Sequence, residues 1–198
     1  MGWVVFDYGE VLSRRSAMLP RLAESYGVSF EEFEEVYWPA RDAYDRGQSD
    51  LDYWRGIGEK LGVDVDEGLC AELTGADISG WLELNPGSMA LLEELDEAGV
   101  QLALLSNAPA SFGAAVREQP WTRRFRHLVF SGDLGVAKPD PAIWTALLER
   151  LGARAGDCLF LDDRQPNIDG ARLAGLTAEL WTGPEEVRPH LIERGLLS

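Results

Sequence analysis

Apolar residues fall along this chain in two rhythms. Short unbroken apolar runs that stop abruptly at polar residues fit strands buried on both faces of a parallel sheet, where apolar layers lie above and below. The clearest are Trp3–Phe6 before Asp7, Leu102–Leu105 before Ser106 and Cys158–Leu161 before Asp162; Leu128–Phe130 and Leu176–Trp181 are weaker. Between them the period lengthens to that of an amphipathic helix, over Met89–Ala98, Pro141–Leu151, Asn167–Ala174 and Pro184–Arg194. Asp140-Pro141 reads as a helix start, with Asp capping free amides and Pro at the first helical position. Strands alternating with helices predict an α/β fold with a doubly wound parallel sheet, whose ligands bind beyond the carboxyl ends of the strands.

Residues 13–84 break that alternation, with helical patterns and no convincing strand. One helix closes at Gly27, a second is predicted over Phe30–Tyr44, and a third over Asp50–Leu61, capped by Ser49 and stopped by Gly62. The expected organisation is a core of residues 1–12 and 85–198, with a small helical cap, residues 13–84, inserted after the first strand. Phe33, Val36, Tyr37, Tyr44, Tyr53 and Trp54 recur at helical spacing and read as the core of that bundle.

Composition narrows the function. A length of 198 residues suits one core with a modest insertion. The formal net charge of -16 repels nucleic acid and anionic lipid surfaces. It also opposes a phosphorylated metabolite, so such a substrate needs local compensation from a divalent cation and a few basic side chains. Arg14, Arg15, Arg41 and Arg164 are available, although the first three lie in the inserted segment, where solvated surface positions are expected. Cys70 and Cys158 stand in no metal-ligand or disulfide framework. No apolar run approaches the ~20 residues that span a bilayer, and the expected location is cytoplasmic. His127 and His190 have no partner pattern and are read as structural.

The polar residues at the strand ends are the candidates for chemistry. Asp7 would face the ligand edge of the sheet, or simply make a turn. Ser106 and Asn107 offer a hydroxyl, a carboxamide and backbone amides to phosphoryl oxygens, or form a turn before Pro109. Lys138, in a loop before a helix, can neutralise a carboxylate and a phosphate, or be solvated. Asp162 and Asp163 repel each other unless a cation or hydrogen bonds relieve them, and hard oxygen ligands of this kind suit magnesium.

In order and spacing, these features resemble the haloacid-dehalogenase superfamily over essentially the whole chain. Val136-Ala137-Lys138-Pro139-Asp140-Pro141 and Phe160-Leu161-Asp162-Asp163-Arg164, followed by Asn167 and Gly170, are close to its third and fourth motifs. Asp45 to Trp54 looks like the small helical cap that some members carry after the first motif, as sugar-phosphate phosphatases and the N-terminal domain of epoxide hydrolases do. The resemblance implies a magnesium-dependent phosphatase that hydrolyses a small phosphate monoester, such as a sugar phosphate, through an aspartyl-phosphate. Asp7 would be the nucleophile and a magnesium ligand, with the Gly9 carbonyl as a second ligand. Ser106 and Asn107 would hold the phosphoryl group, and Lys138 would position it. Asp163 would bind the metal directly, with Asp162 supporting.

One position departs from the family. Its phosphatases usually carry a second Asp two residues after the nucleophile as acid/base, and here that place is Gly9, a residue that also suits a left-handed backbone. Glu10, one residue on, is expected to point elsewhere. A 2-haloacid dehalogenase, in which Asp7 attacks carbon without a metal, is the competing enzyme reading; the Asp162-Asp163 pair argues against it, and so does Gly9, where those enzymes usually have an aromatic residue. A phosphomutase would need the missing Asp, and a non-catalytic protein that binds a phosphorylated ligand is the alternative outside catalysis. Substrate identity and oligomeric state are not written in these patterns.

Overall fold

The computed structural model describes residues 2–198. Its five strands are β1 (Trp3–Phe6), β2 (Gln101–Ser106), β3 (His127–Phe130), β4 (Cys158–Asp162) and β5 (Thr177–Leu180), all parallel, in the order β3-β2-β1-β4-β5. Every predicted strand is present, and the sheet is doubly wound as expected. β1 is flanked on both sides, with Phe6 level with Leu104 of β2 and Leu161 of β4. This register brings Asp7, Ser106 and Asp162 to one carboxyl edge, at the point where the strand order reverses and such sheets bind ligands.

Alternate strand residues feed two apolar layers, as a period of two requires. Val4, Phe6, Leu102, Leu104 and Leu161 pack against α5 (Pro86–Glu97), α6 (Ala110–Arg117) and α10 (Pro184–Glu193). Trp3, Val5, Ala103, Leu105 and Phe160 pack against α8 (Pro141–Leu151) and α9 (Gln165–Leu173). A one-turn helix, α7 (Ser131–Leu134), follows β3. His127 opens β3 with its ring tilted against Trp3 at 5.4 Å, a packing role.

Between β1 and α5 lie four helices: α1 (Leu19–Tyr26), α2 (Phe30–Asp45), α3 (Asp50–Leu61) and α4 (Glu67–Trp81). They enclose a separate cluster that includes Phe33, Tyr37, Tyr44, Tyr53 and Trp54, with Val36 packed at its edge. The chain enters and leaves this bundle side by side: Ser13 bridges Leu84, and Asn85 N donates to Leu12 O at 2.8 Å. Besides the one-turn α7, two helices were not predicted. The buried positions of α4 are Cys70, Leu73, Asp77 and Gly80, a face without the apolar stripe that marks a helix. Gly80 is there because a Cβ would lie 2.1 Å from Ser16 Oγ. The other, α6, spans eight residues. Among the described residues no helix is long and apolar enough to cross a membrane.

Candidate active site

Lys138 is the hub of the strand-end cluster. Its ammonium is buried and donates to three acceptors: Asp7 Oδ1 at 2.6 Å, Asp162 Oδ2 at 2.7 Å and the Leu105 carbonyl at 3.0 Å. Burial opposes its charge, but Asp162 and Asp7 outweigh that and hold it above its ordinary value.

Asp162 is fully buried and its carboxylate is saturated. Besides Lys138 it accepts from Arg164 N at 2.8 Å and from Asn167 Nδ2, 3.0 Å from each oxygen. Asp163 is only partly buried and lines the cavity in front of the sheet. Oxygens of Asp7, Asp162 and Asp163 lie within 4.8 Å of one another. Three carboxylates around one ammonium leave an excess of negative charge in a low-dielectric setting. Burial accordingly pushes Asp7 up to about 7 against the pull of Lys138, with Asp162 adding to the rise, and burial and Asp162 raise Asp163 in the same direction. All-oxygen donors with unrelieved charge fit a hard divalent cation such as magnesium.

Ser106 is buried at the end of β2 and lines the same cavity, as does Asn107. The Asn107 carboxamide is largely committed. Its Oδ1 accepts from Lys138 N at 2.8 Å and its Nδ2 donates to Lys138 O at 2.9 Å, so one Nδ2 proton is left to donate to an anionic ligand.

Gly9 corrects one expectation. Its backbone is not left-handed, and a Cβ there would meet nothing within 4 Å. Glu10 holds the left-handed conformation instead, with φ 56°, and rather than pointing away it is exposed and lines the cavity.

The cavity, about 650 Å³, is closed over by the helical insertion, which contributes Trp38, Arg41, Asp42, Asp45, Arg46 and Trp81. That size suits a small organic ligand. Arg41 overturns its expected surface position: with a side chain 15% exposed, it pairs with Asp45 at 2.8 Å and Asp77 at 3.1 Å. Arg14 and Arg15 are exposed, paired with Glu83 and Glu34. Asp140 precedes α8 but makes no side-chain cap, because its Oδ2 accepts from Arg46 Nη1 of the insertion at 2.6 Å. No sequence signal distinguished Trp38 or Trp81 from ordinary bundle aromatics.

Known proteins bear on this arrangement. The family described as haloacid dehalogenase-like hydrolase matches residues 2–175. The chain is 34% identical over 142 residues to the plasmid protein CbbY of Cupriavidus necator, an alignment covering 64% of this chain and 55% of that protein. It is 30% identical to a ribulose-1,5-bisphosphate 5-phosphatase of Halopiger xanaduensis over 87% of this chain and 77% of that one. It thus spans about half the length of several curated relatives it matches. Among solved structures, a HAD family enzyme of Bacteroides thetaiotaomicron in complex with magnesium superposes with a TM-score of 0.77 at 22% identity, covering 97% of this chain and 98% of that one. An L-2-haloacid dehalogenase of Xanthobacter autotrophicus gives 0.73 at 21%, covering 100% and 85%. At such identities these structures share the fold alone.

Proposed function

The chain belongs to the haloacid dehalogenase-like hydrolases, and from that premise we propose that it is a magnesium-dependent phosphatase acting on a small phosphate monoester, such as a sugar phosphate. The observation that carries the reading is the pairing of Asp7 with Lys138 at the floor of a ligand-sized cavity, with Asp163 beside it.

In this proposal Asp7 attacks phosphorus, a bond forms between its oxygen and the phosphoryl group, and the ester oxygen leaves with its electron pair and takes up a proton. Water then cleaves the aspartyl-phosphate and releases phosphate. Lys138 holds Asp7 in place and offsets charge on the phosphoryl oxygens, while Ser106 and the free Asn107 amide proton orient them. Asp7, Asp163 and the Gly9 carbonyl would hold the magnesium ion. When bound, the ion would supply positive charge that keeps Asp7 ionised and relieves the excess of carboxylates. Asp162, whose oxygens are already filled by protein donors, supports Lys138 instead.

A dehalogenase acting without metal would leave the raised, cavity-lining Asp163 with no task. The two buried free cysteines fit a reducing, cytoplasmic setting, which belongs to the same proposal. The test is phosphate release from a panel of phosphate monoesters with magnesium and with chelator. Release only with magnesium is expected; release of halide from a 2-haloacid, or no turnover of any ester, would refute the reading.

A further inference from the structure

The cap-side wall of the cavity carries two arginines, and both are already spoken for. Arg41 lies between Asp45 and Asp77, while Arg46 donates to Asp42 at 3.0 Å and to Asp140 at 2.6 Å. Each guanidinium therefore faces two carboxylates, of which Asp45 and Asp42 line the cavity while Asp77 and Asp140 lie outside its lining, so the wall together with these backing groups holds more negative than positive charge. The lining cation without a carboxylate partner among the described residues is Arg164, which is exposed and directly follows Asp163, at the phosphoryl end. A second anion on a substrate would meet no uncommitted positive charge under the cap. Carboxylates that have guanidinium partners and spare lone pairs are instead good acceptors for hydroxyls.

Asp45 is the best placed of these. It ends α2 where the insertion meets the core: its carbonyl accepts from Ser131 Oγ, and the following turn needs Gly47, at φ 98°, because a Cβ would lie 3.0 Å from the Gly132 carbonyl. Asp45 Oδ1 is buried 2.8 Å from the Arg41 guanidinium, Oδ2 has no protein donor among the described residues, and the residue lines the cavity. Trp38 and Trp81, edge to face at 6.3 Å, add apolar surface to the same wall for C–H groups.

We propose that this wall selects phosphate esters whose leaving group is uncharged and bears hydroxyls, with Asp45, clamped by Arg41, as the specificity-determining residue that accepts a hydroxyl and repels a second anion. The proposal rests on the phosphatase reading above. It separates substrates by like-charge repulsion as well as by attraction, the usual composition of specificity.

The experiment compares kcat/KM for glycerol 3-phosphate and 3-phosphoglycerate, matched in size and differing by a hydroxymethyl group against a carboxylate, with an aryl phosphate alongside. Wild-type enzyme with magnesium is expected to favour the glycerol ester by about 100-fold. In Asp45→Asn, which can still accept a hydroxyl but has lost its charge, that ratio falls by about tenfold. Asp45→Ser serves the same purpose if the amide variant does not fold. A wild-type ratio at or below one, with the aryl phosphate turned over, would overturn the selectivity and leave the phosphatase reading standing. An unchanged ratio in a folded Asp45 variant would overturn the role of Asp45. Hydrolysis of none of the three esters would overturn the phosphatase reading, and the selectivity with it.

Discussion

Asn107 and Lys138 are joined by a reciprocal pair of hydrogen bonds, backbone amide to Oδ1 at 2.8 Å and Nδ2 to backbone carbonyl at 2.9 Å. One carboxamide thus mimics a strand partner and fixes the loop that delivers the Lys138 ammonium to Asp7. Asn107→Ala leaves the partly buried Lys138 N–H and C=O unmatched, at a cost of about 1–3 kcal/mol. The expected outcome is a lower thermal midpoint and a drop in kcat of tenfold or more, since a small misplacement at a reacting centre is amplified in rate. Unfolding curves and steady-state rates on an aryl phosphate check both.

The acidic pair divides its labour. Asp163→Ala is expected to weaken magnesium binding with little loss of stability, because that side chain faces the cavity. Asp162→Ala removes the acceptor for Lys138, Asn167 and Arg164 N, leaving a buried ammonium short of a partner, and should cost about 3–5 kcal/mol. Calorimetric magnesium titration and denaturant unfolding of the two variants separate the effects. Equal magnesium affinity in wild type and Asp163→Ala would contradict the assignment.

A pH dependence follows from Asp7, whose burial raises it from 3.8 to about 7. A carboxyl with a raised folded value binds its proton more tightly when folded. Its contribution to stability is therefore present in acid and lost as pH rises between those two values. Without metal, Asp7→Asn should gain stability over wild type at pH 8 and much less at pH 5, where wild-type Asp7 is still protonated. For the same reason magnesium affinity of the wild type should rise with pH through about 7, as the competing proton leaves. Thermal midpoints and binding constants across this range measure both.

Much of this site is legible in the sequence because the fold places chemistry at abrupt apolar-to-polar boundaries: Phe6 to Asp7, Leu105 to Ser106, Leu161 to Asp162. The cap was less legible. Arg41 is buried with Asp45 and Asp77 flanking it, and Asp77 lies on α4, whose inward face of Cys70, Leu73, Asp77 and Gly80 carries no continuous hydrophobic stripe. Asp140 looked like a helix cap by its place before Pro141, and its long-range partner Arg46 has no local signature. The saturation of Asp162 likewise depends on Asn167 and Lys138 converging from separate segments.

Gly9 leaves open space where phosphatases of this family usually carry an acid, and its ordinary backbone admits a side chain. Gly9→Asp is expected to fold and to raise turnover of an alkyl phosphate relative to an aryl phosphate. The ceiling is the roughly 10²- to 10⁴-fold that general acid catalysis supplies, because an alkoxide needs protonation far more than a phenoxide does. The comparison is made where formation of the phosphoenzyme limits both rates. An unchanged ratio would assign the proton to another group, with Glu10 at the cavity wall as the first candidate.

The central claim is that Asp7 carries the phosphoryl group between substrate and water. Its most direct test is the mass of enzyme quenched in acid during turnover of an aryl phosphate with magnesium, followed by peptide mapping. A phosphoryl adduct on the peptide bearing Asp7 in wild type, with neither adduct nor phosphate release in folded Asp7→Asn, is the predicted result. Steady turnover with no adduct at Asp7, or wild-type rates from Asp7→Asn, would contradict it.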